Sequence, residues 1–162
     1  MLIRPTEAAD WQALKAIRLA ALRDAPTAFG VRHQQAAAND DAHWQDRAAG
    51  RASSRFWLAI EGDEAVGLAG GVVDALGRYN LIAMWVAPGH RGSDAARRLV
   101  DAVKAHAVAG GHARVVLDVA PDNVRAVRFY ERQGFAFLDE WEPLESHPHI
   151  QVQRMAWQAY AR

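Results

Sequence analysis

The sequence contains no cysteine among its 162 residues. Disulfides, thiolate metal sites, iron–sulfur clusters and a cysteine nucleophile are therefore excluded. An excess of one charge is also missing, because 19 Lys and Arg balance 19 Asp and Glu. No bulk charge favours nucleic acid or an anionic membrane. Long hydrophobic runs are absent too. The most apolar stretches, Ala65–Val73 and Leu81–Pro88, fall short of the ~20 residues that a spanning helix needs. Arg4, Glu7 and Asp10 sit where a secretory signal would need an apolar core. Repeats, low-complexity tracts and linkers are not seen. The expectation is one domain over residues 1–162, soluble and cytoplasmic, with no nucleic-acid or membrane partner.

What is present is an ordinary globular composition, 51% hydrophobic and 23% charged, long enough to bury a core without a metal or cross-link. Leu2-Ile3-Arg4-Pro5 predicts a short strand stopped by proline. Trp11, Leu14, Ile17, Ala21 and Leu22 recur at three- and four-residue steps and predict an amphipathic helix ending near Pro26. Residues 34–50 predict a second, weaker helix ending at Gly50. Phe56–Ile60, Ala65–Ala75 and Tyr79–Val86 predict a three-stranded meander. Residues 92–109 return to helical period, with Ala96, Leu99, Val100, Val103 and Ala107 on one face. Arg114–Val119 is a predicted strand and Asp122–Gln133 a helix. Phe135–Trp141 and Ile150–Trp157 are closing strands, joined by a polar segment over Glu142–His149. This order predicts an α/β (α+β) fold with a mixed sheet of about seven strands and about four flanking helices. The strand–helix–strand unit from Tyr79 to Val119 makes one strand pair parallel.

Two constellations could carry chemistry. In the first, strand Tyr79–Val86 ends, Pro88 breaks it, and Arg91-Gly92-Ser93-Asp94-Ala95-Ala96 feeds straight into a helix. The first backbone N–H groups of such a helix are unpaired and converge, forming an anion site. The same residues also fit an ordinary turn capped by Ser93 or Asp94, with Arg91 solvated. In the second, Asn123, Val127 and Tyr130 share one helix face. Asn123 could hold a ligand while Tyr130 supplies a proton. Asn123 could equally be an N-cap and Tyr130 a core residue with a wet hydroxyl.

Together the two constellations resemble the paired motifs of the GNAT-superfamily N-acetyltransferases. The family's cofactor turn, Arg/Gln-x-x-Gly-x-Gly/Ala after a strand ending Val-x-Pro, is similar to Arg91–Ala96 behind Val86-Ala87-Pro88. Its later motif, Asn-x-x-Ala-x-x-x-Tyr then Gly-Phe, is similar to Asn123, Ala126, Tyr130, Gly134 and Phe135. The resemblance implies acetyl-CoA as donor, splayed central strands, no metal, and direct transfer to a primary amine of a small molecule or an exposed amino group. It implies that Arg91, Gly92, Ser93, Asp94, Ala95 and Ala96 form the pyrophosphate cradle. Met84-Trp85-Val86 would form the pantetheine strand, Asn123 would contact the cofactor arm, and Tyr130 would protonate the leaving thiolate.

Two positions depart from the pattern. Asp94 stands where the family usually has glycine, and a carboxylate pointing into the cradle would repel a pyrophosphate. Asn80 stands where many relatives carry a glutamate base. Asn80 acting through water, Asp118, or His147 and His149 are the candidates for that role. Phe29, Trp44 and His147 are candidate acceptor contacts. His147 and His149 are the one close histidine pair, and they lack a third ligand at metal-binding spacing. The alternative to an enzyme is a non-catalytic acyl-CoA-binding module of the same fold. A homodimer is common for such folds.

Overall fold

The computed structural model describes residues 1–160. Its seven strands are β1 (Leu2–Pro5), β2 (Ser54–Glu61), β3 (Glu64–Val73), β4 (Tyr79–Val86), β5 (Arg114–Val119), β6 (Ala136–Leu144) and β7 (His147–Gln158). Five α-helices flank them: α1 (Trp11–Asp24), α2 (His33–Ala37), α3 (Asp41–Ala48), α4 (Ala95–Ala109) and α5 (Val124–Arg132). The strands form one sheet in the order β1-β2-β3-β4-β5-β7-β6. All neighbours are antiparallel except β4 and β5.

The period-two alternation of β2 divides the core. Trp57 and Ala59 face a cluster that includes Leu99, Val100 and Val103 of α4. Phe56 and Leu58 face a second cluster that includes Leu14, Ile17, Ala21 and Leu22 of α1 and Trp44 of α3. The predicted apolar stripes of α1 and α4 are thus buried on opposite faces of the sheet. At ~25 cal/mol per Å² of apolar surface, each such buried leucine contributes roughly 1.5–3 kcal/mol. The glycines of β3 have a packing reason. A methyl group on Gly71 would collide with the Tyr79 phenol, which crosses that position from β4.

Three expectations need revision. The predicted helix over 34–50 is two short helices broken at Asn39-Asp40. The first ends at Ala37, and Asp40 caps the second, its carboxylate accepting from the His43 N–H at 2.9 Å, because Asp prefers that cap to a helix interior. The flanking α-helices consequently number five, against the about four expected. The polar Glu142–His149 segment is not a loop but the closed end of the β6–β7 hairpin, turning at Glu145-Ser146. Leu144 is the buried apolar residue of this segment, at the foot of the turn.

Candidate active site

β4 and β5 pair only at Tyr79–Val115 and Asn80–Val116. Beyond those pairs the two strands part. The reason lies in β4. Between the pairs Gly70–Ile82 and Leu68–Trp85, β3 has one residue and β4 has two, Ala83 and Met84. This is a β-bulge, which bends its strand and leaves ladder groups unpaired. Ala83 carries a φ of +58°, the sole non-glycine with positive φ among the described residues. Such a conformation costs on the order of 1–3 kcal/mol and persists only where packing enforces it. The bulge carried no sequence signal: alanine at positive φ is not what a turn-residue search looks for.

The parted strands open a cavity of about 780 Å³. Its walls bring together Phe29, Asn80, Met84, Asn123 and Tyr130, which the sequence had placed in three separate segments. Asn123 sits at the N-cap of α5, where its side-chain oxygen accepts from the Ala126 N–H at 3.4 Å. It therefore caps the helix and lines the cavity at once. Tyr130, two turns on, packs edge-on against Phe129 and Phe135. Its hydroxyl has no protein partner among the described residues, and burial pushes the phenol above its usual pKa. The group is therefore fully protonated near neutrality.

The phosphate-type turn lies past the far end of β4, outside the cavity wall. Gly92 has φ +86°, and a side chain there would meet nothing within 4 Å, so the backbone is open to approach. The first helical hydrogen bond of α4 runs from the Arg98 N–H to the Asp94 carbonyl at 3.0 Å. The Ala96 and Arg97 N–H groups ahead of it have no intrahelical partner. The Ser93 hydroxyl accepts from the Ala95 N–H at 3.3 Å and donates to the His90 carbonyl at 2.6 Å. Asp94 makes no side-chain cap bond. Its carboxylate is exposed and lies 3.6 Å from the Arg97 guanidinium on the helix surface.

Several residues stand differently from expectation. Arg91 is not a solvated charge. It donates to Asp24 at 2.6 Å and to the Val86 carbonyl at 3.0 Å. The Trp85 indole donates to the same Asp24 carboxylate at 2.9 Å. These two bonds, the indole's first and then Arg91's, hold the Asp24 carboxyl below the usual carboxylate range. They also offset the cost of an acid at a helix C-terminus. The side chains of Trp85 and Arg91 thus strap the strand end to α1 instead of lining the cavity.

Asn80 is a poor carrier for a catalytic water. Its amide donates to Asp74 and to the Arg78 carbonyl, both at 3.0 Å. Asp74 is no base either. Burial would raise its carboxyl, but the Arg78 N–H, the Asn80 amide, the Arg78 guanidinium and the Leu76 N–H hold it well below the usual range. Trp44 is 3% exposed and belongs to the core under α1, not to the cavity. His147 stands beside the cavity rather than in its wall, bonded to the Ser146 hydroxyl at 2.9 Å.

The sequence reading missed the carboxylates of the hairpin. Glu142 and Glu145 join Asp118 on the cavity wall. Arg154, 6% exposed on β7, lies 3.2 Å from Asp118 and 3.9 Å from Glu142. Glu145 has no cation partner among the described residues. Only β6–β7 pairing brings these acids to the cavity, and no local spacing announces that.

The sequence matches the model of the acetyltransferase (GNAT) family over residues 14–135. The chain belongs to that family. No curated protein is significantly similar to it. Among solved structures, the ribosomal-protein-alanine N-acetyltransferase of Brucella melitensis superposes with a TM-score of 0.75 at 18% identity, over 98% of this chain and 99% of that one. The yncA protein of Salmonella typhimurium, solved with its cofactor acetyl-CoA, gives 0.74 at 18% identity, over 100% and 95%. A candidate streptothricin acetyltransferase of Bacillus anthracis, in complex with acetyl coenzyme A, gives 0.60 at 17% identity. That match covers 68% of this chain and 65% of that one, just under two thirds of its length. At these identities the likeness is one of fold. No helix among the described residues is long and apolar enough to cross a membrane. No group of three His, Cys, Asp or Glu among them is placed to hold a metal.

Proposed function

We propose that the protein is an N-acetyltransferase that moves an acetyl group from acetyl-CoA directly to a primary amine, on a small molecule or an exposed amino group. The observation that carries this reading is the wedge between β4 and β5, with the Ala83 bulge in its wall and a protonated Tyr130 across it.

The residues fit acetyl-CoA in the places a thioester donor needs. The free N–H groups at the start of α4, with the open backbone at Gly92, suit a pyrophosphate. Ser93 and Asp94 shape that turn, and Ala95 and Ala96 keep its helical side small. Met84 and Val86 offer backbone groups to the pantetheine arm, and Asn123 offers its free amide. Trp85 and Arg91 would act indirectly, by holding the turn against Asp24. Acetyl-CoA would supply the activated acetyl group.

The remaining steps belong to the chain. The bulge amide polarises the acyl oxygen. A carboxylate of the cavity wall takes a proton from the acceptor ammonium, and Glu145 suits this role because no cation competes for it. The amine nitrogen bonds to the acyl carbon as the carbon–sulfur bond breaks. The Tyr130 hydroxyl gives its proton to the departing sulfur, and the phenolate regains one as the acylated nitrogen sheds its surplus proton to become a neutral amide. The non-catalytic alternative draws on the missing carboxylate at Asn80, but Glu142 and Glu145 of the β6–β7 hairpin and Asp118 of β5 supply carboxylates to the same cavity. We place the activity in the cytoplasm, in one domain over residues 1–162. A homodimer is supported by Phe137 and Trp141, exposed on the edge strand β6.

The test is thiol release from acetyl-CoA across a panel of amines. Steady release with at least one amine is expected. Saturable acetyl-CoA binding without turnover on any amine would favour the binding module instead.

A further inference from the structure

The acceptor end of the cavity contains a cation that the fold does not neutralise. Arg18 projects from α1 into the cavity wall. Its Nη1 is shielded from solvent and has no hydrogen-bond partner, and the guanidinium has no carboxylate within ion-pair distance among the described residues. The guanidinium carbon lies over the Phe29 ring, 4.8 Å from its centre. Phe29 in turn is fixed from the other side of the cavity, because its carbonyl accepts from the Ser146 hydroxyl on the β6–β7 turn. The neighbouring cation, Arg47, adds repulsion to the site and is itself held elsewhere. It is occupied by the His43 ring at 2.7 Å and the Ser54 hydroxyl at 3.2 Å.

A buried guanidinium without an anion is costly, and folds rarely keep one without a use. Burial, together with the Arg47 charge, pulls the Arg18 pKa down to about 10, so the group is still charged at neutrality. It lines the same cavity as Glu145 and Glu142, which stand on the hairpin wall. The cavity therefore has a positive pole on α1 and a negative pole on the hairpin.

We propose that Arg18 binds a carboxylate carried by the acceptor, so that the acceptor class is amino acids and related amines with a free carboxylate. The ammonium of such a molecule suits the carboxylate wall, and its anion suits Arg18. A carboxylate fits better than a phosphate. One guanidinium matches one carboxylate in a two-pronged pairing, whereas a dianion would meet the negative wall with no second Lys or Arg among the described residues that line the cavity. Phe29 stacks under the guanidinium and holds its plane in place. The proposal rests on the transferase reading for the fate of the amine, but not for binding of the carboxylate.

The experiment has two arms. In the first, thiol release from acetyl-CoA is measured with the proteinogenic L-amino acids, each beside its C-terminal amide. At least one amino acid should be turned over, with its amide poorer by about 10- to 100-fold in kcat/KM. Arg18→Gln should raise KM for that amino acid by a similar factor, leave KM for acetyl-CoA unchanged, and abolish the preference over the amide. Arg18→Lys should restore part of it. Turnover confined to amines without a carboxylate, or an unchanged KM in Arg18→Gln, would overturn the proposal.

In the second arm, the same amino acids are added without acetyl-CoA and the melting temperature is followed. A rise in the wild type that is lost in Arg18→Gln supports the anchor even if no thiol is released. In that event the transferase reading alone has failed. Equal shifts in both proteins, equal shifts with the amides, or no shift in either protein would overturn the anchor. Arg18→Gln removes an unpaired charge, so its own melting temperature should not fall. Arg18→Met provides a second variant of similar reach.

Discussion

The two ends of the proposed site are made of different material. The donor end is backbone: a bulge at Ala83 in the cavity wall and, beyond that wall, an open turn at Gly92 and the first turn of α4. The acceptor end is side chain: Arg18 from α1, Phe29 from the loop after it, and Glu142 and Glu145 from the hairpin. A backbone site depends on torsions and small residues, so it binds a chemical group that does not vary. A side-chain site can change by substitution without moving the fold. On the proposed reading the family resemblance is carried by the donor end, and the specificity of this particular chain by the acceptor end.

The division can be broken from either side. The largest expected effect is at the junction. Tyr130→Phe removes the phenolic proton without altering the packing against Phe129 and Phe135. It should lower kcat by about 10²–10⁴-fold while acetyl-CoA affinity stays within a factor of two or three. Full activity in that variant would remove Tyr130 from the acid role. On the donor side, Gly92→Val forces a β-branched residue to φ +86° in a cradle where space is not the obstacle. The strain, about 1–2 kcal/mol for a non-glycine in that region, should weaken acetyl-CoA binding roughly tenfold. The acceptor KM should barely change. If both constants move together, the two ends are not independent.

The strap between them gives a pH signature. The Asp24 carboxyl is held below its ordinary value by the Trp85 and Arg91 bonds, and that of Asp10 by the Arg4 guanidinium. A group with a depressed native pKa stabilises the fold above its unfolded value, and that stability is lost as pH falls through the native value. Urea midpoints should therefore be flat down to the ordinary aspartate value of 3.8 and fall below it. In Asp24→Asn the midpoint should be lower at pH 7 and the acid fall smaller. A midpoint in that variant equal to wild type at pH 7 would remove the strap from the account.

The smallest expected effect is at Asp94. Its carboxylate already faces Arg97 at the surface, so Asp94→Gly should tighten acetyl-CoA binding only about two- to fivefold, as expected for a single charge near a helix start. Unchanged or weaker binding would show that this carboxylate does not act on the cradle.

The same division explains what could be read in the sequence. The apolar periods of α1 and α4 and the proline-then-small-residue break after Val86 were legible because each is local. So were the Asn123 and Tyr130 positions, which one helix relates. The Ala83 bulge was not legible, because Ala-Met in a β-rich run looks like any other strand. Arg18 reads as the polar face of an amphipathic helix until the loop carrying Phe29 folds over it. Glu142 and Glu145 read as loop acids until β6 and β7 pair. The misplacements have the same origin. Trp44 and His147 are near the acceptor end in the chain, but only packing decides that one is core and the other leans on Ser146.

The central claim is that the parted strands and the open turn receive the donor. Titration calorimetry of the wild type with acetyl-CoA tests it most directly. One saturable site with micromolar affinity, weakened in Gly92→Val and unaffected in Arg18→Gln, is the predicted result. No heat at millimolar ligand, or equal binding by wild type and Gly92→Val, would contradict it.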